Sequence, residues 1–542
     1  MRGVHRDRNN HEDTMGDIDM LRNFQHHSTR RTKALFAAVI FSAGMAHLGP
    51  AHAQNSSTIR VALNEDIRGV DPARETDGMS DPVHTHIVEG LVAYSNTLEI
   101  APVLAESYSV EDEGKTYVFK LRDGVKFHNG KVLTSADVKW SWDYLMAEGS
   151  VWRCKAVFEG NVKVASVETP DPLTVVYRLE AAKGSFIYSL ARTDCAGTPV
   201  FHQDSLKSDG TWGSVIGTGP FTAGERRIGE YAEVNRFPDY TSPPGDPSGR
   251  AGRKEALVDK IRFSVVTDPA ARIVGLRSGE IDLSSVSSQS VKQIQAEPSL
   301  DVVLSETTVW YALLLSQTDP LLQNKALRQA IASAIDREAV AQGVTYGLSK
   351  GTTTPMPRVS RYYSPIKDEP LEANPDRTRE LLAEAGYKGE PITIIANKSF
   401  QSMFDQAIII QSQLQAAGIN VTIETLEWGL QLERYTKGNY QAQSFSYSGR
   451  FDPMGAWERI IGPESRKVWK DERAIALLNK GLAATNPEEV RAISDEIYAL
   501  FIKEVPAVSL FHMTQANGFN KRLQGIESSP FDAPTLWNVS IK

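Results

Sequence analysis

Cysteine is almost missing from this sequence: 542 residues contain two, Cys154 and Cys195. That excludes a disulfide-built scaffold and a cysteine zinc site. Long apolar runs are missing as well; none reaches the roughly 18 residues that a membrane span requires. Positive charge is not in excess. Lys and Arg number 59 against 67 Asp and Glu, a formal charge of −8, so the basic footprint of a nucleic-acid binder is absent. No G-x-S-x-G, no GxxxxGK[ST] and no H-E-x-x-H occurs. Gly217-Thr218-Gly219-Pro220 looks like a phosphate loop, but Pro220 removes a donor N–H. No motif asks for a catalytic residue, a cofactor or a metal. Paired carboxylates of the glycoside-hydrolysing kind depend on spacing in the folded chain, which leaves an enzyme as an alternative.

What is present is ordinary globular composition, 41% hydrophobic and 23% charged, in a chain long enough for three to four domains at about 150 residues each. The first 53 residues read as a leader, with the export signal over about 30–53. Arg30, Arg31 and Lys33 precede the apolar run Ala34–Ala46, and Ala51-His52-Ala53 is a small-x-small cleavage site. Cleavage after Ala53 predicts an exported protein of the periplasm; Arg30-Arg31 leaves both the general and the twin-arginine route open. In that oxidising compartment Cys154 and Cys195 are expected to form a disulfide, the alternative being two buried thiols.

Beyond the leader, period-2 alternation predicts strands at Thr58–Leu63, Thr116–Arg122, Asp259–Val266, Glu280–Leu283, Ile392–Ala396 and Asn420–Leu426, and a strand pair over Val162–Leu179 around Thr169–Pro172. Helix signals alternate with them. Thr134 with Asp137 forms a capping box before Val138, Trp142 and Leu145. Pro269–Ser278 ends at Gly279. Asn324, Asn374-Pro375 and Asn486-Pro487 are N-caps, and Gly386 and Gly418 are C-terminal stops. Pro238–Arg253 is a Pro/Gly-rich excursion. After about residue 305 long helices are expected to dominate. The sum is a mixed α/β fold, a sheet covered by helices. His84 and His86 would share a face if they sat on a strand, but two imidazoles cannot fill a metal shell.

Several segments in order resemble the family 5 extracellular solute-binding proteins, the dipeptide- and oligopeptide-binding group of ABC importers. The nearest is Tyr117–Tyr144 (YVFKLRDGVKFHNGKVLTSADVKWSWDY). Gly217–Phe221 (GTGPF), Ile273–Leu283 (IVGLRSGEIDL), Ala326–Val340 (ALRQAIASAIDREAV), Arg379–Tyr387 (RELLAEAGY) and Gln413–Val421 follow. The resemblance implies the two-lobe periplasmic binding protein fold with a third, small subdomain. Lobe I would be 54–95, 206–306 and 511–542, the small subdomain 96–205 and lobe II 307–510. The hinge crossings would be Thr307–Leu315 and Val505–Met513. It also implies a monomer that takes a small-molecule or short-peptide ligand and docks on an ABC permease in the inner membrane.

Peptide-binding members resemble one another in a W-x-x-D segment just before an acid-Pro pair, whose acid meets the peptide ammonium. Here the corresponding stretch is Tyr447-Ser448-Gly449-Arg450-Phe451-Asp452-Pro453, and it places Arg450 or Gly449 where the acid is expected. A guanidinium in the cleft reverses the charge preference toward carboxylate, hence an opine-like solute, a modified peptide or a glycoconjugate. Asp452 could restore amine binding and with it the alternative of an ordinary di- or oligopeptide receptor. In a competing arrangement Arg450 pairs with Asp452 or Glu458 and meets no ligand. Further candidate contacts are Tyr447, Trp428, Trp457, Trp310, Tyr311, Tyr94 and Trp212, each able to pack on apolar ligand parts, and Lys398 as a second anion-binding position.

Overall fold

Apolar residues recurring at every second position make this chain a sheet builder, and ten of its strands join into one sheet. In the computed structural model, which describes residues 57–542 apart from 70, 75–79, 161–162, 365–369, 465 and 532–533, these strands are β1 (Thr58–Leu63), β2 (Phe221–Arg227), β3 (Tyr231–Arg236), β4 (Lys260–Val265), β5 (Leu283–Val286), β6 (Leu300–Leu315), β7 (Ile392–Ala396), β8 (Val421–Thr425), β9 (Ala442–Tyr447) and β10 (Ala507–Asn520). Their order is β8-β7-β9-β6-β10-β5-β1-β4-β3-β2. The leader expected at 1–53, and its cleavage after Ala53, lie outside the described residues. No helix among those described is long and apolar enough to cross a membrane.

β6 and β10 run antiparallel through the middle of the sheet and serve both halves. Residues Leu300–Glu306 of β6 pair with Thr514–Asn520 of β10, and Trp310–Leu314 pair with Ala507–His512. Between these stretches Thr307, Thr308 and Val309 face Met513 alone, a bulge that changes the strand direction. Thr307 Oγ1 closes it by donating to Met513 O (3.0 Å). Past the bulge the two faces of β6 feed two cores. Tyr311, Leu313 and Leu315 pack with Ile394, Ile410 and Phe511, while Trp310, Ala312 and Leu314 pack with Phe445, Trp457 and Trp469, as the two-residue period of a strand requires. On the other side of the bulge Ile59, Val61, Leu63, Ile261 and Phe263 build a third core. A separate four-stranded antiparallel sheet (Ala105–Glu111, Thr116–Leu121, Thr174–Leu179, Val164–Asp171) carries its own aromatic core of Tyr117, Phe119, Trp142, Phe158, Tyr177 and Phe186.

Most capped helices form where the caps stand. Thr134 and Asp137 make the capping box, and Asn324, Asn374 and Asn486 accept N–H bonds at the first turns of their helices. The differences have local causes. The strand expected at Glu280–Leu283 forms three residues later, at Leu283–Val286, where β10 offers partners. Strand Val164–Asp171 runs through Thr169 and Pro170, and the turn falls at Pro172-Leu173. The region after residue 305 holds not only helices but the crossing strands β6 and β10. His84 and His86 lie on a short helix, Asp81–Ile87, not on a strand. Positions two apart on a helix point to different sides, and both rings are buried against carbonyls: His84 Nε2 at 3.1 Å from Gly69 O, His86 Nδ1 at 2.7 Å from Pro82 O.

The Pro/Gly-rich stretch is anchored, as an excursion from the β3–β4 pair, by one buried carboxylate. Glu89 accepts from Lys254 Nζ (2.7 Å), Tyr240 Oη (2.9 Å) and Thr218 Oγ1 (3.1 Å), and the ammonium also stands 5.0 Å over the Trp537 ring. Breaking such a pair from one side leaves a bare buried charge. Lys254→Met is therefore expected to cost about 3–5 kcal/mol of stability in denaturant unfolding. Adding Glu89→Gln should recover part of that loss; a double variant no better than the single one contradicts the assignment.

Candidate functional site

In an open α/β sheet ligands settle beyond the carboxyl ends of parallel strands. β8, β7 and β9 are parallel neighbours, and the residues that leave their carboxyl ends are Leu426–Trp428, Asn397–Phe400 and Ser448–Asp452. Four of the residues singled out in the sequence, Lys398, Trp428, Arg450 and Asp452, thus stand along one edge, and Tyr447 closes β9 just before it. That edge borders the bulge, because Tyr447 of β9 pairs with Trp310 of β6.

The Ser448–Asp452 loop is fixed at three points. Gly449 lies against Thr308 of the bulge so closely that a methyl group there would collide with Thr308 Oγ1. Phe451 is wedged between the rings of Tyr94 (5.1 Å) and Phe531 (5.3 Å). Asp452 caps the helix Pro453–Glu458, accepting from Met454 N (3.2 Å) and Gly455 N (2.8 Å). Held between these anchors, Arg450 is half-buried. It donates from Nη1 to Gly449 O (2.8 Å) and forms no ion pair with Asp452, Glu458 or any other carboxylate among the described residues. Burial pushes its guanidinium down, and the neighbouring Arg192 adds to that, against Asp194 and Glu458. Burial likewise lifts the Asp452 carboxyl to about 6 against the pull of the two amides and Lys183.

Groups from distant segments complete this corner. Arg192 grips Asp194 with a two-point fork (3.0 and 2.7 Å), and Arg153 stands 3.8 Å from the same carboxylate. Cys154 and Cys195 are bonded to each other, with Cα atoms 5.8 Å apart. Tyr94 Oη donates to Tyr188 O (3.2 Å), and Tyr188 and Tyr362 share a hydroxyl contact at 2.9 Å. Lys183 is buried nearby, and burial lowers its ammonium despite Glu458 and Asp452. Beneath the loop Arg459, 9% exposed, donates to Ala456 O (2.9 Å), Ser448 O (3.3 Å) and Pro355 O (3.1 Å). It lies over the stacked rings of Trp310 and Tyr447 and also has no carboxylate partner among the described residues. Burial, with Arg450 beside it, lowers it to about 9.

The remaining aromatics are placed differently. Trp310 and Trp457 are core, their indole nitrogens on Ser509 Oγ (2.7 Å) and Ser494 Oγ (3.0 Å). Tyr311 stacks on Phe511 (4.6 Å) on the opposite face of β6 from Trp310. Trp428 is half-buried against Phe400 (5.0 Å) and Phe445 (5.8 Å). Lys398 is exposed over Phe404. Trp212 packs on Phe201 and Tyr144, with no ring contact to the Arg450 loop. Sequence reasoning missed Arg192, Asp194, Lys183, Tyr188, Tyr362 and Arg459. The one local signal was Arg192-x-Asp194 beside Cys195; Arg459 had none.

The family description "Bacterial extracellular solute-binding proteins, family 5 Middle" matches residues 99–465, more than half of the chain. A Brucella ovis protein provisionally named an ABC transporter peptide-binding protein is 31% identical over 353 residues, which cover 62% of this chain and 63% of the relative, under two thirds of its length. Among solved structures, HbpA2 from Haemophilus parasuis superposes with a TM-score of 0.79 at 23% identity, covering 90% of this chain and all of that one. AgaA of A. tumefaciens R10, solved with agropinic acid, does so with 0.68 at 24%, covering 90% and 99%. The fold is therefore the two-lobe one of periplasmic binding proteins.

Two outcomes follow from this geometry. Gly449→Ala should cost about 1–3 kcal/mol through overpacking against Thr308, read as a lower midpoint in urea. Stability should also fall with acid. His512, His86 and His128 are held neutral by burial, at about 3, 4 and 4 against 6.5. Their contribution is complete above pH 6.5 and is lost as pH drops from there toward 4. Asp452, raised from 3.8 to about 6, works against this between those values, its contribution being full below 3.8 and lost as pH rises through 6. Three imidazoles outweigh one carboxyl, so unfolding midpoints from pH 7.5 down to 4 should decline; a level profile contradicts the burial of the histidines.

Proposed function

This chain belongs to the family 5 bacterial extracellular solute-binding proteins, and from that premise we propose that it is the periplasmic receptor of an ABC importer. It captures a peptide-like or carboxylate-bearing solute, such as an opine, a modified peptide or a glycoconjugate. The ligand is enclosed between lobe I (54–95, 206–306, 511–542) with the small subdomain (96–205) and lobe II (307–510), and delivered as a monomeric complex to an inner-membrane permease. The separate cores on the two sides of the Thr307–Val309 bulge support this division. The chain carries out no chemistry on the ligand.

The single observation that carries the ligand reading is Arg450. A half-buried guanidinium without a carboxylate partner among the described residues is an electrostatic deficit that an anionic group repairs, and its planar fork matches a carboxylate. Arg459 beneath it adds to the positive potential. Agropinic acid bound to AgaA is a solute of this kind. A second reading, the ordinary di- or oligopeptide receptor, draws on Asp452, a carboxylate two residues from Arg450, and on the name of the Brucella relative.

A thermal-shift screen of residues 54–542 separates the two. The panel contains di- and tripeptides, longer peptides, opines including agropinic acid, and acidic sugars. A ligand at 100 times its dissociation constant adds about 2.7 kcal/mol. Stabilisation by anionic non-peptides supports the first reading, and stabilisation only by free peptides supports the second. For the anion that binds, Arg450→Ala is expected to weaken affinity by about 1.5–3 kcal/mol; unchanged affinity removes Arg450 from the site.

A further inference from the structure

Three guanidinium groups, those of Arg153, Arg192 and Arg450, converge on one corner, and the carboxylate of Asp194 acts on all of them. Which of them it neutralises decides the charge that a ligand meets. The local geometry makes the choice. Arg192, two residues earlier, takes both carboxylate oxygens, Nε to Oδ1 at 3.0 Å and Nη2 to Oδ2 at 2.7 Å. Arg153 adds a longer contact of 3.8 Å to Oδ2. Burial alone would raise the Asp194 carboxyl, but the Arg192 bond and charge outweigh it and hold it below the usual range.

The covalent frame enforces this allocation. Cys154 directly follows Arg153 and Cys195 directly follows Asp194, so the disulfide joins the two chain segments at the ion pair itself. The turn after Asp194 is tight: Cys195 N donates to Arg192 O (3.2 Å), Gly197 N to the same oxygen (2.9 Å), and Ala196 takes a left-handed conformation, φ +53°. Arg192 and Asp194 therefore have little freedom to part. Across from them Phe451, the residue after Arg450, is seated on Tyr94, and Tyr94 is hydrogen-bonded to Tyr188, one turn before Arg192. Glu458 is the other carboxylate that acts on Arg450, without an ion pair.

We propose that Asp194 is a specificity-determining residue: clamped on Arg192 and positioned by the Cys154–Cys195 bond, it is withheld from Arg450 and so keeps the site selective for anions. The inference rests on Arg450 facing the ligand. Freeing Asp194 would let it neutralise Arg450, and the corner would then favour amines.

Phenylglyoxal labelling of the exported chain, mapped by peptide mass, reads the allocation without any ligand, because the reagent attacks guanidinium groups that are not engaged by carboxylates. In the native protein Arg450 should be labelled and Arg192 protected. In Arg192→Gln, Arg450 labelling should slow about tenfold, as a charge-assisted bond to Asp194 forms. In Arg192→Lys, which keeps Asp194 occupied, it should stay near the native rate. In Asp194→Asn, Arg450 should remain labelled and Arg192 become so. Cys154→Ser with Cys195→Ser should move Arg450 labelling toward that of Arg192→Gln. Arg450 already protected in the native chain, or labelled equally in Arg192→Gln, overturns the proposal; matching circular dichroism spectra exclude misfolding as the cause. Thermal shifts with agropinic acid and Ala-Ala, run on the same variants, separate the two ideas. Anion stabilisation with unaltered labelling leaves the receptor reading intact and removes Asp194. Altered labelling with no anion stabilisation keeps the charge allocation and removes the carboxylate ligand, and with it the specificity role.

Discussion

The antiparallel pairing of β6 with β10 is the constraint on which the rest of the structure depends. These two strands are members of both halves of the ten-stranded sheet, and their ladder is interrupted where Thr307, Thr308 and Val309 oppose Met513. A bulge weakens the ladder locally and changes strand direction. It thus concentrates whatever relative motion the halves undergo into a few residues, as hinge closure around a ligand requires. The interruption also shapes the neighbourhood: Thr308 receives Gly449, and Trp310 at the resumption of pairing stacks on Tyr447. The loop that carries Arg450 is built directly on this bulge.

Charge is distributed around that loop with a consistent logic. Most buried cations here are matched: Lys254 by Glu89, Arg192 by Asp194, and Arg328 by five bonds to backbone carbonyls. Arg459 is matched in this last way, by three backbone carbonyls, whereas half-buried Arg450 beside it bonds only Gly449 O, and neither has a carboxylate partner among the described residues. Burying a charge without full compensation is costly, and that deficit at Arg450 is the ground for the anionic ligand proposed above. The Arg459 bonds to Ser448 O and Pro355 O, with His512 sharing the latter carbonyl, tie the loop, the strand crossing and the segment around Pro355 into one polar node.

Much of the architecture was legible because it is written in short-range chemistry. N-caps at Thr134, Asn324, Asn374 and Asn486, stops at Gly279 and Gly386, and alternation in Thr58–Leu63 act over a few residues, and each is found where it stands. The misplaced elements are those whose extent depends on partners. Leu283–Val286 became a strand where β10 could pair with it, and His84 and His86 joined a helix packed against β2, where the glycines of Gly217–Phe221 admit the helix backbone that a Cβ would block.

The sequence by itself determined the mixed α/β class, the ordered family segments and the departure at Arg450, because these are properties of residues close together in the chain. Only the tertiary structure decided what surrounds Arg450. Arg192 and Asp194 lie more than 250 residues away, Tyr94 further still, and neither periodicity nor capping carries information over that range. It likewise decided that Trp310 and Trp457 belong to the core, since an indole's role depends on which serine its N–H meets across the fold, and it left Arg450 without a carboxylate partner among the described residues by committing Asp452 to a helix end and Asp194 to another arginine.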